Sequence, residues 1–479
     1  MRKLLLIAVA LIAGAGVAFG GGEAETGRSA AAEQVTGGQL LPVGSIDPGN
    51  YLSDFISDVS NTGPEPLVIH VDLLQDKVWE EGAQTAFRIL LAVNEQSFFT
   101  PTPGLFVAFF QNPELLRDEN FVREVAALVE RYNELDIRFF DPAEKLLYPA
   151  SSSGEVMRAV RRIRGQEKIY DQNVLIQRAL DAMSSTGRKR SHLLWITDEN
   201  IAERSADLAF FNLAIELFAG AHTTFSYLAY GELPDWPSVN EALMKRNGNS
   251  YYAGSASEIS GKVKKDLDFF YRPAIENIEI RIDIGRFSQE RNSFYPYWYY
   301  GTLPGFIPRI FNNRPRSLHT LGGMNYDEVK RYIHYVYLPS VFDLIEADTP
   351  TPLLVAGKLT VGRVFVSYYL PASEQWVYLQ RDLEVEYVKA DEVGEIRIDP
   401  NVELDVIIQN TPLVLLEAAQ MVNSNRNYLL ALKLIQTQAA LLQDLKAARP
   451  DEAIEEDIKT LQTYYEIVLN HAKAVNLLE

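Results

Sequence analysis

Thr197 and Asp198 close the apolar run Ser191-His-Leu-Leu-Trp-Ile-Thr-Asp198, which delivers a hydroxyl and a carboxylate side by side. Oxygens so placed suit a hard cation, or a cap for the backbone N–H groups of a following turn or helix. Asp72 ends a second run of this kind, Pro66-Leu-Val-Ile-His-Val-Asp72. Other chemistry is sparse. The six histidines are dispersed, without a His-Glu-x-x-His pair for zinc. Neither Gly-x-Ser-x-Gly nor a phosphate loop occurs. Ser151 to Ser153 precede a helical pattern and read as a cap, and Asp136 and Asp141 read as ordinary strand-end carboxylates. With no cysteine, the chain has no disulfide, thiolate nucleophile or Cys-zinc site. A non-enzyme without a resident cofactor is therefore expected, Mg²⁺ being the ion to test.

The elements that position Asp198 follow from hydrophobic periodicity. Leu193 to Ile196 is too short and too apolar for a surface helix and reads as a buried parallel strand, whose carboxyl end is where open α/β sheets bind ligands. Leu105 to Phe110 is a second unbroken apolar strand. Asp118 to Leu135 is an amphipathic helix with Phe121, Val125, Leu128, Val129 and Tyr132 on one face. Further strands are expected at Ile137 to Phe140, Lys145 to Tyr148, Thr224 to Tyr230 and Ser250 to Ala253. Helices are expected from Gly154, Val174, Ala206, Val239 and Ala256. The alternation specifies a doubly wound α/β domain.

In content, order and spacing, Asp136 to Tyr148, the Gly154 helix, Leu193 to Asp198 and Thr224 to Phe270 resemble the von Willebrand factor A (vWA) family. Phe225-Ser-Tyr-Leu-Ala-Tyr-Gly231 and Leu243-Met-Lys-Arg-Asn-Gly-Asn-Ser-Tyr-Tyr-Ala253 look like its closing strands. The resemblance implies a Rossmann-like fold that binds a protein partner. In many members a metal-ion-dependent adhesion site takes part, built from Asp-x-Ser-x-Ser after the first strand, a Thr from a second loop and a later Asp. Asp198 matches the later Asp. If Leu105 to Phe110 is the first strand, the motif becomes Phe110-Gln-Asn-Pro-Glu114, and the Thr falls near Asn173 or Val174. A second register, with Leu67 to Asp72 as the first strand, keeps Asp72 but loses both serines in Asp72-Leu-Leu-Gln-Asp76. Either way the metal site is expected to be degenerate.

At 479 residues the chain has room for roughly two to four domains, and its 47% hydrophobic content supports ordinary cores. Residues 1–20 carry Arg2 and Lys3, an apolar run and Ala18-Phe-Gly20, the pattern of a secretory signal peptide, with an uncleaved anchor as the alternative. Export to the periplasm or the exterior is the expectation, with no other membrane association. Residues 21–44 read as a flexible linker and 45–100 as a β-rich lead-in. The vWA-like domain is set at 101–273, an antiparallel β-sandwich at 274–411 and a C-terminal helical hairpin region at 412–479. The net charge of −19 disfavours nucleic acid as a partner. An aromatic stretch, Phe294-Tyr-Pro-Tyr-Trp-Tyr-Tyr300 with Phe306, suggests a contact surface. Tyr297, Trp298, Tyr299, Tyr300 and Phe306 are thus candidates beside Asp198 for binding a protein or, alternatively, a glycan or peptidoglycan.

Overall fold

The structure, a computed structural model, describes residues 35–42, 65–94, 104–165, 172–188, 190–198, 223–230, 248–254, 256–271, 274–288, 293–296, 299–301, 317–325, 328–338, 358–371, 373–389 and 396–475. Ala32, Tyr51, Leu52, Phe55 and Leu243 are also described. The expected signal peptide, most of the expected linker, and the expected helices from Ala206 and Val239 (apart from Leu243) lie outside these residues.

The first strands are β1 (Leu67–Leu73), β2 (Lys77–Trp79) and β3 (Ala83–Val93). Thr85 to Val93 is apolar almost throughout, a pattern that fits strand or helix equally. It is a strand, buried from Thr85 onward, with β1 antiparallel on one side.

From Gly104 the chain builds a separate six-stranded sheet. Its strands are β4 (Leu105–Phe110), β5 (Asp136–Asp141), β6 (Leu146–Pro149), β7 (Ser191–Thr197), β8 (Thr223–Tyr230) and β9 (Ser250–Ala253), in the order β6-β5-β4-β7-β8-β9. Every pairing is parallel except β5 with β6. Alternate residues of a strand face opposite sides of a sheet, and in β4 both sides are apolar. Phe106, Ala108 and Phe110 enter one core with helices α1 (Glu119–Val129), α2 (Ser153–Ile163) and α4 (Ala256–Tyr271). Leu105, Val107 and Phe109 enter another with α3 (Gln172–Ser184). Helices on both faces explain why β4 and β7 are wholly buried and read as continuous hydrophobic runs.

The chain then forms β10 (Ile275–Ser288), β11 (Ser293–Pro296), β12 (Tyr299–Gly301), β13 (Ser317–Met324), β14 (Val329–Leu338), β15 (Lys358–Leu370) and β16 (Gln375–Val388). These do not form a body of their own. β14 pairs antiparallel with β3 over ten residues, giving a sheet β1-β3-β14-β12, while β2 joins the edge of a second sheet beyond β16. The expected lead-in is therefore part of this two-sheet body, and the α/β unit is inserted between β3 and β10. The second register also falls: Asp72 and its strand belong to the other sheet, and β4 is the first strand of the α/β unit. The aromatic stretch contains two strands that go to different sheets, β11 to β10 and β12 to β14.

Three helices follow, α5 (Pro400–Gln420), α6 (Tyr428–Ala448) and α7 (Glu452–Ala474), sharing a core with both sheets. The helical region starts before 412. Asp399 caps α5 by accepting from the N–H groups of Asn401 and Val402, and Pro400 sits where a helix tolerates proline. Pro412, which sequence reading places at a helix start, lies in the interior of α5. Proline there removes a backbone hydrogen bond, and burial of Val406 to Leu416 offsets the cost, apart from the half-buried Ile407. Gln438 of α6 also donates to the Ile407 carbonyl at 2.8 Å.

Two polar features hold the layers together. In the two-sheet body, Asp405 of α5 accepts from Arg88 of β3 at 2.9 Å and from Arg331 of β14 at 2.6 Å. Arg331 also donates to the carbonyls of Leu52 and Phe55 at 2.7 Å, tying the N-terminal segment to the same point. At the junction with the α/β unit, the Arg190 guanidinium lies 3.9 Å from the Phe270 ring centre and contacts Glu276 of β10 at 3.4 Å.

Candidate functional site at the switch point of the parallel sheet

After β4 the sheet grows in one direction through β5, and from β7 it grows in the other. Such a reversal opens a crevice outside the carboxyl ends of the two central strands. Two side chains meet there. Asn112 follows β4 and Asp198 follows β7, and the Asn112 Nδ2 donates to the Asp198 carboxylate at 2.6 Å. The orientation of the amide is set by its other end, since Asn112 Oδ1 accepts from the Glu114 N–H at 3.0 Å and caps the 3₁₀ turn Pro113–Arg117. Just beneath, Gln111 is buried and accepts from the Trp195 indole at 3.0 Å, while its N–H bonds the Ile196 carbonyl. The rim of the crevice is thus stitched across β4 and β7 by side chains that each strand delivers.

The residues fit a Mg²⁺ ion poorly. The ion needs near-octahedral oxygen donors, yet Phe110 stands where the family pattern has its Asp. Phe110 is 2% exposed and packs against Phe121 and Phe139 with ring centres 5.9 and 5.2 Å apart. Asn112 turns an N–H donor, rather than an oxygen, toward Asp198. The fifth position is Glu114, which pairs with Arg117 at 3.0 Å on the exposed side of the turn. The side chains of Asn173 and Val174 lie outside the described residues. Among the described residues no group of three or more His, Asp or Glu side chains converges as a metal cage.

The other sequence candidates go to different places. Asp72 pairs with Arg88 directly across β1 and β3 at 2.7 Å, so this metal candidate is part of the structural ion network. Tyr297, Trp298 and Phe306 lie outside the described residues. Tyr299 and Tyr300 are placed by backbone only, opposite Val336 and Tyr335 at the edge of the four-stranded sheet. Ser152 caps α2. Asp141 accepts from the N–H groups of Ala143 and Glu144 in the turn after β5. Burial would raise the Asp136 carboxyl, but hydrogen bonds and charge from Arg138, then Arg188, outweigh it and hold the group below its usual range.

Sequence reading missed a buried polar line at the opposite, amino end of the same strands. His192 of β7 and Asp266 of α4 are both 0% exposed, with His192 Nε2 2.7 Å from Asp266 Oδ2. His192 Nδ1 lies 2.7 Å from the Thr224 hydroxyl, and the Tyr251 hydroxyl donates to Asp266 at 3.1 Å. The Thr224 hydroxyl lies within reach of both Nδ1 and the Ser191 carbonyl, the latter 3.4 Å away, while Nε2 faces Asp266. A hydroxyl, an imidazole and a carboxylate in line have the order of a nucleophilic relay. Here the imidazole is packed between Phe106 and Phe270, with ring centres 5.1 and 5.2 Å away. The line fastens α4 to the sheet. A histidine inside an apolar strand was its only trace in the sequence.

No family model matches the sequence, and no curated protein matches it. Solved structures do. A von Willebrand factor type A protein from Catenulispora acidiphila superposes with a TM-score of 0.50 at 12% identity, covering 85% of this chain and 91% of that one. The ArnB paralog VWA2 from Sulfolobus acidocaldarius gives 0.46 at 11%, covering 85% and 98%. At such identities the likeness speaks to fold alone. The fold is vWA-like.

Proposed function

We propose that this chain is an exported, non-enzymatic vWA-domain protein of the bacterial cell envelope that binds another protein, as a scaffold or adhesion factor. The signal-peptide pattern of residues 1–20 supports export, and the vWA-like fold supports protein interaction as the general task. The observation that carries the reading of the site is the Asn112 to Asp198 hydrogen bond at the switch point. An amide closes the position that a cation would bridge, so the adhesion site is degenerate and recognition proceeds without a metal. The crevice then offers a fixed carboxylate and a capped turn rather than an open coordination position.

The test has two parts. Millimolar Mg²⁺ should leave the melting temperature of the full chain unchanged. Capture from envelope extracts should give a partner that survives chelator and is lost in Asp198→Ala. A rise of several degrees with Mg²⁺, absent in Asp198→Ala, would overturn the metal-free reading, and capture of no specific partner would overturn the binding one.

A further inference from the structure

The sheet β11-β10-β15-β16-β2 ends unevenly. β2 covers β16 only at Glu386, Tyr387 and Val388, and among the described residues no strand pairs with the rest of that edge. The direction of the backbone groups along it can be read from its covered end. The Glu386 N–H donates outward to Asp76, and the Val388 carbonyl accepts from Glu80. Backbone groups alternate sides along a strand, so Tyr378, Gln380, Asp382 and Glu384 turn their N–H and C=O groups to the same outer edge, while the residues between them bond β15. The Arg381 side chain confirms the direction by donating to the Gln380 carbonyl at 2.9 Å.

Free edges are usually blunted by charge, proline or a short strand. Gln375-Trp-Val-Tyr-Leu-Gln380 has none of these: six residues of an extended strand carry no charge, and the stretch is exposed or half-buried throughout. Trp376 and Tyr378 are 48% and 75% exposed, and Trp376 leans on Tyr369 of β15 with ring centres 5.7 Å apart. Flanking charges are Glu374 in the turn and Arg381, Asp382, Glu384 and Glu386 along the strand; Asp382 already pairs with Arg363 at 2.8 Å and Glu386 with Lys77 at 3.7 Å, and Glu374 and Glu384 are exposed carboxylates that a ligand can reach. Exposed aromatic faces attract cations, and this sheet already shows the contact, with the Arg281 guanidinium 3.7 Å above the Phe365 ring.

We propose that the Gln375–Asp382 edge of β16 is a docking site for an extended, basic protein segment, which adds to the sheet as one more strand and sets lysine or arginine side chains against Trp376, Tyr378 and the exposed carboxylates of Glu374 and Glu384. Main-chain hydrogen bonds supply the attachment and alternate side chains the selectivity. The site lies on the two-sheet body and is independent of the Asp198 crevice, so either can fail without the other.

The test is fluorescence anisotropy on the full chain with a labelled nine-residue peptide alternating lysine and valine. Three competitors accompany it: the same peptide with glutamate for lysine, the same peptide N-methylated at alternate residues, and a neutral hexasaccharide. Gln380→Pro removes one outward N–H without touching the ladder to β15, and edge strands accept proline. An unchanged melting temperature certifies its fold. Tyr378→Ser serves as the second variant, and Asp198→Ala as the control. The expected result is binding of the basic peptide, at least tenfold weaker binding of the acidic and N-methylated peptides, and at least tenfold loss in Gln380→Pro and Tyr378→Ser with none in Asp198→Ala. Equal binding of the N-methylated peptide would mean charge attraction alone and would overturn the proposal. So would undiminished binding by folded Gln380→Pro, absence of binding, or displacement by the hexasaccharide.

Discussion

Asp405 and Arg331 meet at 2.6 Å with both side chains almost completely buried, one on α5 and the other on β14. Arg88 reaches the second oxygen of the same carboxylate at 2.9 Å. Asp405 therefore bridges two guanidinium groups at the seam where helix, sheet and N-terminal segment join, and Arg88 has a second partner in Asp72 at 2.7 Å. Removing a single partner from such a cluster leaves uncompensated charge in the interior, which costs about 3–5 kcal/mol. Asp405→Ala should lose about that much in urea unfolding, and Asp405→Asn, which keeps acceptor and shape, should lose less.

At the switch point, the bond from Asn112 to Asp198 is charge-assisted but partly open to solvent. Asn112→Ala removes both this bond and the cap on the 3₁₀ turn, so the expected loss is about 1–2 kcal/mol. It should be measured by denaturant unfolding with and without Mg²⁺. A wild-type chain indifferent to the ion is the expected result, because the amide already satisfies the carboxylate.

His334 on β14 is fully buried and stacked on Phe87, with ring centres 5.0 Å apart. Burial, and secondarily the charge of His319, holds its pKa well below the ordinary value. The folded state keeps the ring neutral where the unfolded chain would bind a proton. Above pH ~6.5 the group is neutral in both states and has no effect; as pH falls below that value the unfolded state takes up the proton and stability drops, by at most about 1.4 kcal/mol per pH unit from this group. His334→Phe should flatten the decline between pH 6.5 and 5 in a series of thermal melts. An unchanged slope would remove His334 as a contributor.

Gly248 precedes β9, and a Cβ built on it would overlap the Phe225 carbonyl oxygen of β8. Backbone cannot move aside as a side chain can. Gly248→Ala should therefore destabilise the α/β unit by about 3 kcal/mol or more, visible as a lowered denaturation midpoint. The Asn-Gly-Asn-Ser-Tyr-Tyr sequence that suggested the vWA family thus contains a glycine that close strand packing requires.

Much of the α/β unit was legible because its signals are local. Leu105 to Phe110 and Leu193 to Ile196 are strands because both their faces meet helices, and that condition shows directly as an unbroken apolar run. Asp118 was legible as the start of a helix for the same reason, since a cap acts within a few residues of itself. Pro412 shows the limit of such local reading. Pro412 looks like a helix start, and only the burial of the residues around it places it inside α5.

By itself the sequence determined the alternation of strands and helices, the position of Asp198 at a strand end and the absence of cysteine chemistry. Each depends on composition or on neighbours within a few residues. Tertiary structure alone decided that β3 pairs with β14, more than two hundred residues away, which makes the lead-in part of the later body. It alone brought Asn112 to Asp198, 86 residues apart, and His192 to Asp266, 74 apart. The reason is physical: periodicity reports that a residue is buried, whereas its partner is set by which strands share a ladder, and a linear pattern carries no record of that choice.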